Sequence, residues 1–411
     1  MTRRVTITLV AIGGYGHSYL SQLLTPELRD TAKIVAAVDP TPERCKMLGD
    51  LQAMHVPIYP TLEAYDAEAS SPADLVVISS PIHYHVPQSI AALEHGSNVL
   101  CEKPMCATVQ EADALIAARD RAGRFVSIGY QRSFTPAAHA LKADIRSGVL
   151  GKPKRMRCLC LWARTERYYN RNNWAGMQKS PDDAWVLDSP MNNAMSHSLH
   201  QMFHLLGDTT QTSATPAKVT AELYRANDIT NFDTGVLRAF TDTGVEVFFA
   251  ASHAVADRET TELVAEFEHA TVTGSRKRGG LTVTFTDGRT KTYENPDDHR
   301  HARKLLDAIE RVTSGSPDVC GPEAARAQTV VINGAQDSCS HITEFPREMV
   351  EITGDEGERL THVPGLEAML RQCFDEDKLP SEIDFDWAKP GTEVDLTDYA
   401  WFPGGNHGTT I

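Results

Sequence analysis

Long apolar runs are missing from this 411-residue chain: no stretch approaches the roughly 20 residues that span a bilayer, and Asp, Glu, Lys or Arg recur throughout. No membrane partner is expected. Positive charge is also short, with 40 Lys and Arg against 55 Asp and Glu for a net charge of −15, so the average surface repels nucleic-acid backbones and anionic lipid. Nucleic acid is therefore not expected as a partner either. The eight cysteines, at 45, 101, 106, 158, 160, 320, 339 and 373, include no C-x-x-C pair that would make a zinc site or a redox couple. No metal is assigned, and a reduced, cytoplasmic protein is expected. Cys158 and Cys160 stand two apart in a strand-like run, which puts both on one face of a sheet as packing residues. Arg3-Arg4 followed by the apolar residues 5–12 resembles a short export signal, but that stretch runs straight into glycines and reads better as a first strand.

What is present is a globular composition, 41% apolar and 23% charged, with enough material for two cores. From residue 5 to about 128, short β-branched runs at 5–10, 34–38, 75–78, 98–100 and 125–128 alternate with helix-compatible stretches at 16–24, 42–52, 87–95 and 109–122. Strands alternating with helices mean right-handed crossovers and a doubly wound parallel sheet. After Gly129 a helix at 136–147 leads into strand-like runs at 154–163, 217–225, 235–240, 245–252, 262–273 and 281–286, then helices at 299–313 and 322–341. The expected fold is thus α/β followed by α+β, the second domain built on an open, mainly antiparallel sheet. The boundaries fall at 1–129, 130–345 for a substrate and oligomerisation domain, and 346–411 for an arm rich in Asp, Glu, Pro and Gly.

The turn after the first strand, Ala11-Ile12-Gly13-Gly14-Tyr15-Gly16, stands where a dinucleotide fold needs bare backbone beside a pyrophosphate. Against G-x-G-x-x-G, Ala11 replaces the first glycine while Gly13 and Gly16 keep the second and third. Asp39 closes the second strand, 23 residues after Gly16, where a carboxylate accepts from ribose hydroxyls and repels a 2′-phosphate. NAD is favoured over NADP; the alternative use of Asp39 is to cap the turn before Pro40.

Ser80-Pro81-Ile82-His83-Tyr84-His85, Glu102-Lys103-Pro104 and Gly129-Tyr130-Gln131-Arg132 together resemble the Gfo/Idh/MocA family, named for glucose-fructose oxidoreductase, inositol dehydrogenase and MocA. The likeness is close over residues 5–150, looser to about 345 and absent from the tail. It implies an N-terminal Rossmann domain and NAD as cofactor, held by Ile12, Gly13, Gly14, Tyr15, Gly16, Asp39, Ser80, Pro81, His85, Glu102, Lys103 and Gln131. By the same resemblance Glu102 contacts the nicotinamide ribose, Lys103 lies beside the reacting hydroxyl, and Pro104 often follows a cis bond. Independently, an ammonium next to a cationic nicotinamide at the carboxyl end of a parallel sheet helps deprotonate a substrate alcohol.

Asn193, His197, His200 and His204 recur at helical spacing, which places them on one face. The family's D-x-x-x-H-x-x-D pattern maps onto Asn193, His197 and His200, and implies that His197 is the general base, with Lys103 as the second catalytic residue. Asn193 cannot carry a carboxylate's charge and can only orient a neighbour or a sugar hydroxyl. Two other uses of the histidines stand open: a metal site, and a packed core role for His204. Upstream, 167–174 gathers aromatic faces and planar donors, including Tyr168, Arg171 and Trp174, a mixture suited to sugar rings. Ser133 stands where relatives often carry a second Arg after Arg132, so substrate charge does not carry over from the resemblance.

The expected activity is oxidation of a secondary hydroxyl of a sugar, inositol or glycoside, with Lys103, Tyr168, Arg171, Trp174, Asn193, His197 and His200 on the substrate. A second reading uses the same site as a glycoside hydrolase: transient C3 oxidation, elimination, water addition and re-reduction, with His200 as an extra base. A third is a non-catalytic sensor that keeps the dinucleotide fold. A homodimer or homotetramer is expected from the open sheet edge and from the resemblance.

Overall fold

The computed structural model describes residues 3–256, 260–275, 280–294, 302–339 and 341–404. The chain divides into two compact units, one of residues 1–106, 111–135 and 297–325, the other of 107–110, 136–296 and 326–411.

In the first unit the β-branched runs become β1 (Val5–Val10), β2 (Ala32–Val38), β3 (Ile58–Tyr59), β4 (Leu75–Ile78), β5 (Asn98–Cys101) and β6 (Val126–Ile128), a parallel sheet in the order β3-β2-β1-β4-β5-β6. Side chains alternate between two cores: Val76 and Ile78 join one cluster, Leu75 and Val77 the other. This two-sided burial is why the strands read as continuous apolar runs. The helix Arg303–Ser314, distant in sequence, adds Leu305, Ala308 and Ile309 to one core, and Cys320, Ala324 and Ala325 join the other. Leu305→Ala would leave a cavity costing about 2–5 kcal/mol. The start expected at 299–301 for that helix lies outside the described residues.

In this unit two local helix readings differ from the structure. The helix expected at 42–52 is broken into a tight turn, Pro42–Arg44, and a helix, Leu48–Ala53, because Cys45 is extended at φ −78° and ψ 116°. The helix expected from 87 starts at Ile82, behind the extended Pro81, and carries Pro87 inside it.

The second unit holds β7 (Pro153–Leu161), β8 (Pro216–Arg225), β9 (Thr234–Thr241), β10 (Glu246–Ser252), β11 (Thr260–Phe267), β12 (Ala270–Ser275), β13 (Leu281–Phe285), β14 (Thr290–Tyr293) and β15 (Thr343–Glu344). A hairpin follows, β16 (Glu351–Thr353) with β17 (Leu360–His362), and then β18 (Val394–Asp395). Among the described residues the sheet has ten strands in the order β14-β13-β12-β11-β7-β10-β9-β8-β15, with β18 beside β8. Pairing is antiparallel except at β7/β10 and β8/β15. The single run expected at 262–273 is two strands, since Glu268 and His269 reverse the chain and bond back to Lys152 and Leu150. The tail joins the core of this unit: Leu366, Leu370 and Phe374 of the helix Leu366–Glu376 pack with Leu159, Phe248 and Trp387.

Candidate active site

In the parallel sheet the site residues stand just beyond the carboxyl ends of the strands, around the β1/β4 switch in strand order where such folds bind ligands. Ala11, directly after β1, has φ +64°, a left-handed conformation that explains why a glycine is usual there. The Ser79 hydroxyl donates to the Ala11 carbonyl at 2.8 Å and steadies it. A Cβ on Gly16 would lie 2.0 Å from that same carbonyl, so only glycine lets the helix Gly16–Leu23 start this close to the strand. Gly14 meets nothing within 4 Å and is free of that constraint.

Asp39 is buried and ties the turn together. Its Oδ2 accepts from the amides of Ile12 (2.9 Å) and Gly13 (3.2 Å), and its Oδ1 from the amide (2.8 Å) and hydroxyl (3.3 Å) of Thr41. The capping use anticipated for Asp39 is therefore present and extends to the glycine turn, and these four bonds occupy the acceptor sites of its carboxylate.

Glu102 follows β5 and is 5% exposed. Its Oε1 accepts from the Tyr19 hydroxyl at 2.6 Å and pairs with the ammonium of Lys304, which is 1% exposed. The Lys304 ammonium also lies 4.7 Å from the Tyr15 ring and 5.0 Å from the Tyr19 ring. Burial pushes the Glu102 carboxyl up, but Lys304, Tyr19 and Lys103 outweigh it and hold the group below the usual carboxylate range. The carboxylate is thus ionised and aimed. The adjoining Lys103–Pro104 peptide is cis, and the Lys103 side chain is half-buried.

His85 is buried with Nδ1 2.7 Å from the Pro104 carbonyl and Nε2 2.8 Å from the Ser80 carbonyl. Burial lowers its pKa below the ordinary histidine value while both carbonyls oppose that shift, and a neutral ring donates to only one of them at a time, linking the loop after β4 or the loop after β5. Ser80 in turn donates to Gln88 at 2.6 Å. Pro81 and Gln131 are partly exposed and Tyr15 is exposed.

The second unit gathers the substrate-side residues. The helix runs Ser196–Leu205, so Asn193 is not on it: it sits one turn earlier in a wide turn, Pro190–Ala194, where the Met195 amide bonds back to the Pro190 carbonyl at 2.8 Å. Ser189 caps that turn by accepting from the Asn192 amide at 3.1 Å, and Pro190 can follow the cap because it has no amide to lose. Asn193 and His197 are half-buried, whereas His200 (1% exposed) and His204 (2% exposed) are buried and stacked, ring centroids 5.4 Å apart. Burial, with His204 and Lys142 adding to it, holds His200 well below the ordinary histidine pKa. His200 therefore backs the helix as a neutral group. Among the described residues no set of three or more His, Cys, Asp or Glu side chains is placed to hold a metal ion.

Tyr168, Arg171 and Trp174 form a single stack: the Arg171 guanidinium lies 3.7 Å from the Tyr168 ring centroid and 5.3 Å from that of Trp174. Asp188, 1% exposed, pairs with Arg171 at 3.5 Å and accepts from the Asn193 side-chain Nδ2 at 2.6 Å and the Gly176 backbone amide at 2.7 Å. Asp188 restores, one step removed, the charge that Asn193 lacks. Three groups that sequence reasoning did not single out emerge here: Asp188, Lys304, and Arg164, which lies 5.0 Å over the Tyr168 ring. For Asp188 the sequence held a signal, a carboxylate five residues before Asn193; Lys304 carried none.

Residues 6–130 match the model of an oxidoreductase family with an NAD-binding Rossmann fold. The chain is 32% identical over 160 residues to inositol 2-dehydrogenase 4 of Saccharopolyspora erythraea, covering 38% of this chain and 45% of that one. It is 31% identical over 154 residues to inositol 2-dehydrogenase of Acidothermus cellulolyticus, covering 37% and 43%. The match thus spans somewhat under half the length of these curated relatives. In fold it resembles the WlbA dehydrogenase of Bordetella pertussis, solved with NADH and UDP-GlcNAcA, at a TM-score of 0.66 and 19% identity over 82% of this chain and 98% of that one. Among the described residues no helix is long and apolar enough to cross a membrane.

Proposed function

Through residues 6–130 the chain belongs to the Gfo/Idh/MocA oxidoreductases and carries their NAD-binding Rossmann domain, and from that premise we propose that it oxidises a secondary hydroxyl of a sugar, inositol or glycoside. The observation that carries the reading is the placement of Glu102-Lys103-Pro104 at the carboxyl end of β5, with Glu102 held ionised by Lys304 and Lys103 left half-buried beside it. NAD, when bound, supplies a hydride acceptor. The protein supplies the rest. Asp39 and the glycine turn hold the adenosine side, Glu102 the nicotinamide ribose, and Lys103 polarises the substrate hydroxyl. His197 takes the hydroxyl proton, and Asn193, oriented by Asp188, accepts or donates to a neighbouring hydroxyl. Tyr168, Arg171 and Trp174 receive the ring. The burial of His200 removes the second base on which glycoside cleavage by transient oxidation would draw, and favours net oxidation.

The eight free cysteines support a reduced, cytoplasmic setting, and assembly as a homodimer or homotetramer remains part of this reading. The test is incubation of the protein with NAD and a panel of free sugars, inositols and aryl glycosides, following NADH absorbance and aglycone release together. NADH without cleavage is expected; aglycone release without NADH would move the protein to the hydrolases.

A further inference from the structure

We propose that Arg164 and His253 form an anion subsite in the second unit that takes the carboxylate of a sugar acid, a narrowing of the substrate class that rests on the oxidoreductase reading above. The backbone sets the pair side by side. Beyond the paired ends of β7 and β10, the Trp162 amide donates to the Ser252 carbonyl at 2.9 Å and the Arg164 amide to the His253 carbonyl at 3.2 Å. The Arg164 guanidinium stacks over two rings, 5.5 Å from Trp162 and 5.0 Å from Tyr168. Stacking fixes its plane but uses none of its N–H donors.

Those donors lack acceptors. The Arg164 Nε is buried with no hydrogen-bond partner, and among the described residues no acidic side chain pairs with it. His253 is 1% exposed, and its Nε2 is likewise buried without a partner. Its Nδ1 faces the Tyr169 hydroxyl at 3.4 Å. Burial and the charges of Arg164 and Arg171 keep the ring neutral, and in the tautomer whose Nδ1 accepts from Tyr169, the one the subsite uses, Nε2 is a donor. Two neighbouring buried donors without acceptors are costly for a protein to keep unless a ligand supplies the acceptors.

The charge balance selects the ligand. Arg171 is compensated by Asp188, and the buried Asp233 carboxyl beside Tyr169 is taken up by Ala226, Asn227 and Thr234, which leaves Arg164 with no carboxylate partner of its own among the described residues. A planar monoanion, a carboxylate, matches one charge and the guanidinium fork. A phosphate monoester would bring a second negative charge near Asp188. Asp188 also accepts from the Asn193 side chain, one turn before His197, and Arg164 shares the Tyr168 ring with Arg171, so stacking and an ion pair connect the anion subsite to the residues given the reacting hydroxyl.

The test is calorimetric titration of the NADH-loaded protein with D-glucuronate, D-gluconate, D-glucose and D-glucose 6-phosphate. The sugar acids are expected to bind at least about 10-fold tighter than glucose, an advantage that Arg164→Gln abolishes and Arg164→Lys, which keeps the charge but not the fork, reduces. Arg289→Gln, the same charge change in an exposed turn, should leave it intact. Equal affinity for sugar acid and glucose, no saturable binding of either acid, or a preference that survives Arg164→Gln would overturn the proposal, and tighter binding of glucose 6-phosphate would overturn its carboxylate form. Arg164→Lys keeps the test readable if Arg164→Gln does not fold. Failure to reduce NAD on any polyol would sink the oxidoreductase reading while leaving this binding preference measurable, so the two failures are distinguishable.

Discussion

The carboxylate of Glu102 and the ammonium of Lys304, 202 residues apart in sequence, form a buried ion pair just beyond the carboxyl end of β5. Replacing one partner strands the other charge in a low-dielectric interior. Lys304→Met is therefore expected to destabilise the protein by about 3–5 kcal/mol and to weaken NADH binding, read by urea midpoint and by fluorescence titration. The double variant Lys304→Met with Glu102→Gln should recover most of the stability without the affinity. Wild-type NADH affinity in Lys304→Met would contradict the assignment of Lys304 as the group that positions Glu102.

Asp39 accepts four hydrogen bonds that organise the turn, and the proposed function also sets it against the ribose. Asp39→Ala should lower NADH affinity by roughly 10- to 100-fold, the loss of one or two charge-assisted bonds. NADPH, relieved of repulsion, should lose less. Titration of both cofactors checks this, and a uniform loss for the two would show that Asp39 acts on the turn alone.

The two glycines of the turn separate by sterics. Gly16→Ala places a methyl 2.0 Å from the Ala11 carbonyl and should abolish cofactor binding with a marked loss of stability, whereas Gly14→Ala meets nothing within 4 Å and should leave the melting temperature within about a degree or two. Comparable behaviour of the two variants would contradict this geometry.

Asp307, on the helix Arg303–Ser314, supplies a pH dependence. Burial, with the Asp318 charge adding to it, pushes its carboxyl up to about 6, and its Oδ2 has no hydrogen-bond partner. A carboxyl raised on folding favours the protonated folded state, so its contribution falls as pH rises from the unfolded value near 4 through about 6 and stays low above. Asp307→Asn should thus stabilise the protein at pH 8 by about 1–2 kcal/mol, discounted for its partial exposure, and hardly at all near pH 4. Denaturation midpoints at the two pH values test it; an equal gain at both would refute the assignment.

Much of this was legible in the sequence. The β-branched runs between helical stretches identify five of the six parallel strands, because residues buried on both faces leave no alternation to confuse. Only β3, two residues long, escapes, being too short to show a pattern. The glycine turn, Asp39 and Glu102-Lys103-Pro104 are local motifs and could be read directly. Lys304 and Arg164 could not, because their partners are set by tertiary pairing: a late helix returning to the first core, and the parallel alignment of β7 with β10. The common helical face of Asn193, His197, His200 and His204 failed at its start, where Ser189 and Pro190 cap a wide turn ahead of the true helix. Spacing alone also could not tell His197, half-buried, from His200, sealed beneath it.

The central claim is that Lys103 assists removal of the substrate proton during net oxidation. Its most direct test is the rate of NADH formation by wild type and by Lys103→Ala on whichever polyol of the panel is oxidised, with NADH affinity measured on both. The account predicts a fall in kcat of about 100-fold or more at unchanged NADH affinity. Turnover at the wild-type rate in Lys103→Ala would contradict it.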